Sequence, residues 1–342
     1  MKNQQGPLTV DIYSGNSVES SHLVDAVVVD AKGEIIEVYG DPSRAVFPRS
    51  AIKMVQALAL LESGAAAAYG LSSKWISLAC ASHQGEKIHT EEVRHWLQHI
   101  GLEETAFECG AHYPFDETTK FELIRQDLKP TAVHNNCSGK HCGMLTTAQH
   151  LKENPKGYVN YDHPVQVRLR RILSEISAVS YDHAPWGIDG CSIPTYAIPL
   201  EKIAVSMAAL LGEEAKKFTM NSLRREAGAK ILQAVTSEPE MISGTKGLCS
   251  QIVRLSAGRA IAKTGAEGVY AGLVPAKGIA MAVKVRDGGT RAAELVALHL
   301  LQGHQGLTVR EAHELSGLTT AQIKNWTGKL VGRSQVRDLK GS

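Results

Sequence analysis

The sequence has few aromatic side chains, 5% of its 342 residues, and its charges nearly cancel, with 37 Lys and Arg against 35 Asp and Glu. Such a balance, with no long run of one sign, leaves no electrostatic footprint for nucleic acid or an anionic membrane. No stretch approaches the roughly 20 apolar residues of a membrane span. Met1 to Ser14 lacks the apolar centre of a secretory signal, so the expectation is a cytoplasmic protein. Internal repeats, low-complexity tracts and flexible linkers are missing too. There is no GxGxxG, no GK[ST] phosphate loop, no GxSxG elbow and no HExxH, which argues against nucleotide and hydride chemistry. Cysteine is sparse. In a reducing compartment Cys80, Cys109, Cys137, Cys142, Cys191 and Cys249 read as thiols or metal ligands rather than three disulfides.

The chain does have apolar residues for a sizeable core, at 43% of the sequence. Leu8 to Tyr13 alternates as a strand, and Leu23 to Val29 with Glu34 to Tyr39 reads as a hairpin. A helix led by Ser50 spans Ala51 to Glu62, a strand spans Trp75 to Cys80, and further helices lie at 88–100, 164–178, 203–211 and 223–235. Strands return at 260–262 and 278–285, followed by helices at 291–301 and 309–315. The expectation is one domain of mixed α/β (α+β) class over 1–342. An antiparallel-rich sheet lobe would come from about 8–49 and 259–305, with a helical lobe between.

Chemistry is densest in His134-Asn135-Asn136-Cys137-Ser138-Gly139-Lys140-His141-Cys142-Gly143-Met144. Thr131 to Val133 reads as extended and Met144 to Leu151 as helix, which places the reactive groups at a turn entering a helix. There the helix dipole favours thiolates and anions. The remaining thiol of interest, Cys191, lies in the loop Gly187-Ile188-Asp189-Gly190-Cys191. By donor type alone, zinc held by Cys137, Cys191 and either His141 or Cys142 is the expectation, weaker than a paired CxxC site.

A second constellation is Ser50 and Lys53, three apart and so on one helix face within about 5–6 Å. A desolvated lysine loses its proton more readily and can act as base toward a serine hydroxyl. SxxK alone is a weak signal, since Ser243-Gly244-Thr245-Lys246 matches as well. Lys263-Thr264-Gly265 strengthens Ser50, because SxxK early and KTG late is the order of the serine β-lactamases and penicillin-binding proteins. Ser82, beside His83, is a second candidate nucleophile.

Five blocks together, Arg49-Ser50-Ala51-Ile52-Lys53, Ala79-Cys80-Ala81-Ser82-His83, the 134–141 block, Gly187 to Cys191 and Lys263 to Gly268, resemble the rhizobial-type (class 3, asparaginase II family) L-asparaginases. The resemblance runs from about residue 8 to the terminal helices. It implies hydrolysis of L-asparagine to L-aspartate and ammonia on a serine β-lactamase/glutaminase-like fold, usually as a homodimer. It also implies two Ser-Lys pairs, Ser50 with Lys53 and Ser82 with Lys263, with Ser50 as nucleophile. Zinc would be held by Cys137, Lys140 and Cys191 plus water, so that Lys140 displaces the imidazole or thiol chosen by donor type. His141 is kept as a support to those ligands and, with Asn136, as a substrate-side candidate. By charge, Arg49 and Asp189 would anchor the substrate's carboxylate and ammonium. The rival readings are a glutaminase, a β-lactam-acylating enzyme and a zinc-stabilised binding or sensor protein without turnover.

Overall fold

A computed structural model describes residues 4–213 and 218–337. The chain forms two compact units, one made of Met1–Ile52, Ala197–Phe218 and Ile252–Ser342, the other of Lys53–Tyr196 and Thr219–Gln251.

The first unit is built on a mostly antiparallel sheet. Its strand order is Gln322–Lys324, Leu330–Val336, Leu8–Ser14, Ser17–Asp30, Ile279–Val285, Val269–Val274 and Ile261–Gly265, with Ile35–Tyr39 pairing the long strand Ser17–Asp30 as well. The β-branched run Val27-Val28-Val29 lies opposite Ala282, Met281 and Ala280 in register. Val269 to Val274 is buried at every position, because the helices Leu200–Ala208 and Thr290–Gly303 both pack on the strands at this end of the sheet. A strand covered on both faces loses the polar alternation that marks a half-buried one. That is why Val269–Val274 is not apparent in the sequence, while the polar hairpin 322–336 escapes notice for lack of apolar periodicity. The latter hairpin carries the sheet past residue 305, pairing Gly332 to Ser14 and Val336 to Val10.

The second unit is helical around Ser138–His150, whose residues 138 to 148 are all buried. Four local expectations are corrected here. Trp75 to Cys80 is not a strand but part of the helix Ser73–Ala79, capped by the Ser72 hydroxyl, which accepts from the Trp75 N–H; a short apolar run cannot tell a buried helix from a strand. The expected helix 51–62 is broken into a 3-10 turn Arg49–Ile52 and helices Lys53–Gln56 and Leu58–Glu62, so Ser50 lies within the turn rather than capping a helix. Thr131 to Val133 runs into a 3-10 turn, Ala132–His134, closed by a capping box between Thr131 and the His134 ring. Helix Ser138–His150 also begins six residues before the expected Met144, which draws the reactive block into the helix itself.

The glycines of that block have a packing reason. A Cβ on Gly139 would stand 2.3 Å from Leu78 O and 2.6 Å from Leu78 Cγ, and one on Gly143 would stand 3.3 Å from Leu60 Cδ2. The helix Ser73–Ala79 therefore seats directly on the helix Ser138–His150, which carries the end of the first, at Ser82, to Cys137. Gly139→Ala is expected to destabilise the protein by about 1–3 kcal/mol in spite of the gain in helix propensity, since Leu78 backbone has to move; urea unfolding measures it, and an unchanged midpoint would show that the helices separate freely. Among the described residues no helix is long and apolar enough to cross a membrane.

Candidate active site

Lysine is seldom buried without a partner. Among the described residues three lysines are buried, Lys53 at 1% exposure, Lys140 at 5% and Lys263 at 0%. Each belongs to a different one of the sequence blocks.

In the second unit Lys53 opens a helix and directs Nζ to Ala81 O at 2.5 Å, Ser82 Oγ at 3.0 Å and Cys137 Sγ at 3.1 Å. The structure thus joins Lys53 to Ser82 directly. Lys140, one turn into its helix, donates to Cys191 Sγ at 3.1 Å, bridging 51 residues of sequence. Cys137 and Cys191 are themselves hydrogen-bonded. Asn136 accepts from Cys137 Sγ at 3.3 Å through Oδ1, and its N–H donates to His112 Nε2 at 3.0 Å. Asp189 sits in the tight loop before Cys191, where its Oδ1 accepts from the Gly190 N–H at 2.7 Å, and its charge acts on Lys140.

The electrostatics assign one proton and one anion to the thiol pair. Cys137 is pushed up to about 12, by the hydrogen bond it donates to Cys191 and then by burial. Cys191 is held well below the ordinary thiol range by that same bond, with Lys140 next among the influences that overcome burial. Lys140 is raised: burial works to lower it, but the charges at Cys191 and Cys137 outweigh that penalty. The directions favour the anionic form at Cys191 and the ammonium form at Lys140. His141 is lowered to about 3 by burial and then by Lys140. Its Nδ1 shares a 2.7 Å hydrogen bond with Tyr158 OH, and its Nε2 is buried without a hydrogen-bond partner.

In the first unit, Ser50 and Arg49 lie on the 3-10 turn that packs against the strand Ile261–Gly265. A Cβ on Gly265 would meet Pro48 O at 2.7 Å and Ala51 N at 3.2 Å. The glycine of KTG is what lets the strand approach the Ser50 turn so closely. Arg49 has φ 50, a left-handed conformation that costs a non-glycine residue about 1–3 kcal/mol and that clusters at functional sites. Lys263 Nζ donates to Thr264 O at 2.9 Å.

The donor set can be tested against zinc. Cys137, Lys140 and Cys191 present two soft sulfurs and an amine, all buried, with Cys191 accepting from both Lys140 and Cys137; the two sulfurs suit zinc, and the amine could join them only after losing its proton. Among the described residues no three of His, Cys, Asp and Glu are grouped to hold a metal. The donor-type expectation of His141 or Cys142 as third ligand is therefore corrected. Cys142 Sγ is directed at Val93 O, since a residue five positions beyond Cys137 faces another side of the helix, and the His141 ring is turned to Tyr158.

Two residues of the site, His83 and Ser138, are present in the sequence blocks but are given no role there. His83, fully buried and lowered well below its usual range by burial and by the charges of His89 and Lys53, pairs with Ser138 Oγ at 2.8 Å. The only sequence signal is their adjacency to Ser82 and Cys137.

No curated protein matches the chain. Among solved structures it is similar to Mglu, with TM-score 0.47 and 12% identity over 84% of this chain and 68% of that one. A β-lactamase from Mycobacterium bovis gives TM-score 0.42 and 14% identity, covering 83% of this chain and 95% of the other. The D-alanine carboxypeptidase AmpC from Burkholderia cenocepacia gives 0.37 and 11%, over 86% and 93%. The sequence matches the L-asparaginase II family over residues 10–336. With nearly its whole described length matched and its buried lysines in the blocks described above, the chain belongs to the L-asparaginase II family and is an amidohydrolase.

Proposed function

We propose that the protein hydrolyses L-asparagine to L-aspartate and ammonia through a serine-bound acyl intermediate. The observation that carries this reading is the burial of Lys53 against Ser82 and Cys137, with Lys263 buried in the strand that the Ser50 turn packs on. Ser50 lies three residues before Lys53 in a run of helical turns, so the chain itself couples the two. In this reading Ser50 Oγ attacks the side-chain amide carbon and its proton passes to Lys53. The proton then goes to the departing nitrogen, which leaves as ammonia. Water, losing a proton by the same route, cleaves the β-aspartyl ester. Ser82, already at hydrogen-bond distance from Lys53, extends the relay, and the family resemblance adds Lys263 to it. Arg49 and Asp189 meet the substrate's carboxylate and ammonium by opposite charge, with Asn136 and His141 as further polar contacts.

Cys137, Lys140 and Cys191 would hold zinc, which, when bound, polarises and orients the substrate as a Lewis acid. The homodimer implied by the family resemblance and the cytoplasmic location expected from the sequence belong to the same proposal. A second reading of the nucleophile has a specific observation in its favour: the 3.0 Å contact of Lys53 with Ser82 makes a Ser-Lys pair without Ser50.

The test is ammonia release from L-asparagine and L-glutamine in parallel, with metal-loaded and chelator-treated protein. Release from asparagine is expected to exceed that from glutamine by about 10-fold or more, the worth of one methylene in a fitted pocket. Faster release from glutamine would make the protein a glutaminase. Zinc bound with no release from either amide would leave a binding protein.

A further inference from the structure

We infer that His83 and Ser138 form a positioning pair that sets the distance between the two groups Lys53 bridges, Ser82 Oγ and Cys137 Sγ. The inference rests on the proposed role of Lys53 and Ser82 in proton transfer. Lys53 has three acceptors, and all lie on two short segments, Ala81 O and Ser82 Oγ on one, Cys137 Sγ on the other. The next residue along each segment is His83 or Ser138. These two residues bond to each other at 2.8 Å, and the His83 N–H donates to Asn136 O at 3.1 Å. The segments are thus fastened by one main-chain and one side-chain hydrogen bond immediately beside the Lys53 contacts.

The direction of every bond in the fastening is determined. The Gly85 N–H donates to His83 Nδ1 at 3.1 Å, so that nitrogen is the acceptor and Nε2 carries the proton of the neutral ring. Nε2–H therefore donates to Ser138 Oγ, whose own hydroxyl proton goes to Val133 O at 3.0 Å. Burial holds the ring neutral, and the ring stacks on His89, centroids 4.9 Å apart and planes at 11°, which blocks its rotation. Neither side chain bonds to Lys53. Their effect on chemistry has to pass through the placement of Ser82 and Cys137, where a shift of about 1 Å can cost about a hundredfold in rate.

The experiment compares wild type with Ser138→Ala, His83→Ala, the double variant, and the conservative Ser138→Thr and His83→Gln, each of which keeps a hydroxyl or an N–H donor. Two readouts are taken: kcat and KM for L-asparagine, and the rate at which iodoacetamide alkylates Cys137 in chelator-treated protein, followed by peptide mass. Each alanine variant is expected to lower kcat by about 10–100-fold with KM within about threefold. It should also raise the alkylation rate of Cys137 by about tenfold, as the hold on that segment loosens. The double variant is expected to fall well short of the product of the single losses, because both singles remove the shared His83–Ser138 bond, and the threonine and glutamine variants should recover most of both losses. Wild-type kcat and alkylation in both alanine variants would overturn the inference, as would losses that multiply in the double. Should the wild type release no ammonia, the proposed function fails by itself, and the alkylation rates still decide whether the pair positions Cys137.

Discussion

Ser50→Ala is expected to lower kcat for L-asparagine by at least about 10³-fold, because a nucleophile has no substitute once its oxygen is gone. Ser82→Ala, removing a relay group that other polar atoms can partly replace, should cost about 10²-fold. Lys53→Met is the most damaging of the three to the site as a whole. It withdraws the one amine that touches Ala81 O, Ser82 Oγ and Cys137 Sγ, and its loss should match or exceed that of Ser50→Ala, as members of one catalytic unit do not contribute additively. Steady-state ammonia release ranks the variants, and intact mass after rapid acid quenching locates the acyl group. If Ser82→Ala abolishes turnover and the adduct persists in Ser50→Ala, the nucleophile is Ser82, in agreement with its contact to Lys53.

The proposed zinc site carries the second large expected effect. Lys140→Met and Cys191→Ala are each expected to weaken zinc affinity by about 10³-fold or more, since either leaves only two protein donors in place of three. Competition with a chromophoric chelator measures it. The sign of the pH dependence follows from the resting protons. Cys137, pushed up to about 12, and Lys140, also raised, both hold a proton in the metal-free chain, and a metal has to displace both to use both donors. Affinity should therefore rise with pH across the neutral range, with up to two protons released per ion bound. Affinity unchanged in Lys140→Met would remove the amine from the ligand set, and full retention in Cys191→Ala would move the site elsewhere.

Most helices and the Leu8–Ser14 and Ile279–Val285 strands are legible from the sequence because their apolar residues repeat with the period of the element. The failures have a common cause. Trp75 to Ala79 and Val269 to Val274 are apolar runs without a visible period, and only their neighbours decide whether such a run coils or extends. The early start of the helix at Ser138 is equally hidden, since Gly139 and Gly143 are poor helix formers on their own. They are kept there by the close seat they provide for Leu78 and Leu60.

What the sequence by itself determined is the chemistry: which side chains are reactive, the three-residue step from Ser50 to Lys53, and the block around Cys137 whose composition carries the family resemblance. These are properties of covalent neighbours, and spacing along the chain reports them. Tertiary structure alone decided which reactive groups meet. Lys53 reaches Ser82 and Cys137 across 29 and 84 residues, and Lys140 reaches Cys191 across 51. His141 and Cys142, equally good donors on paper, turn instead to Tyr158 and Val93. The reason is that helix packing, driven by apolar burial and close glycine contacts, chooses the face each side chain presents, and nothing in the order of residues states which neighbour that face will find.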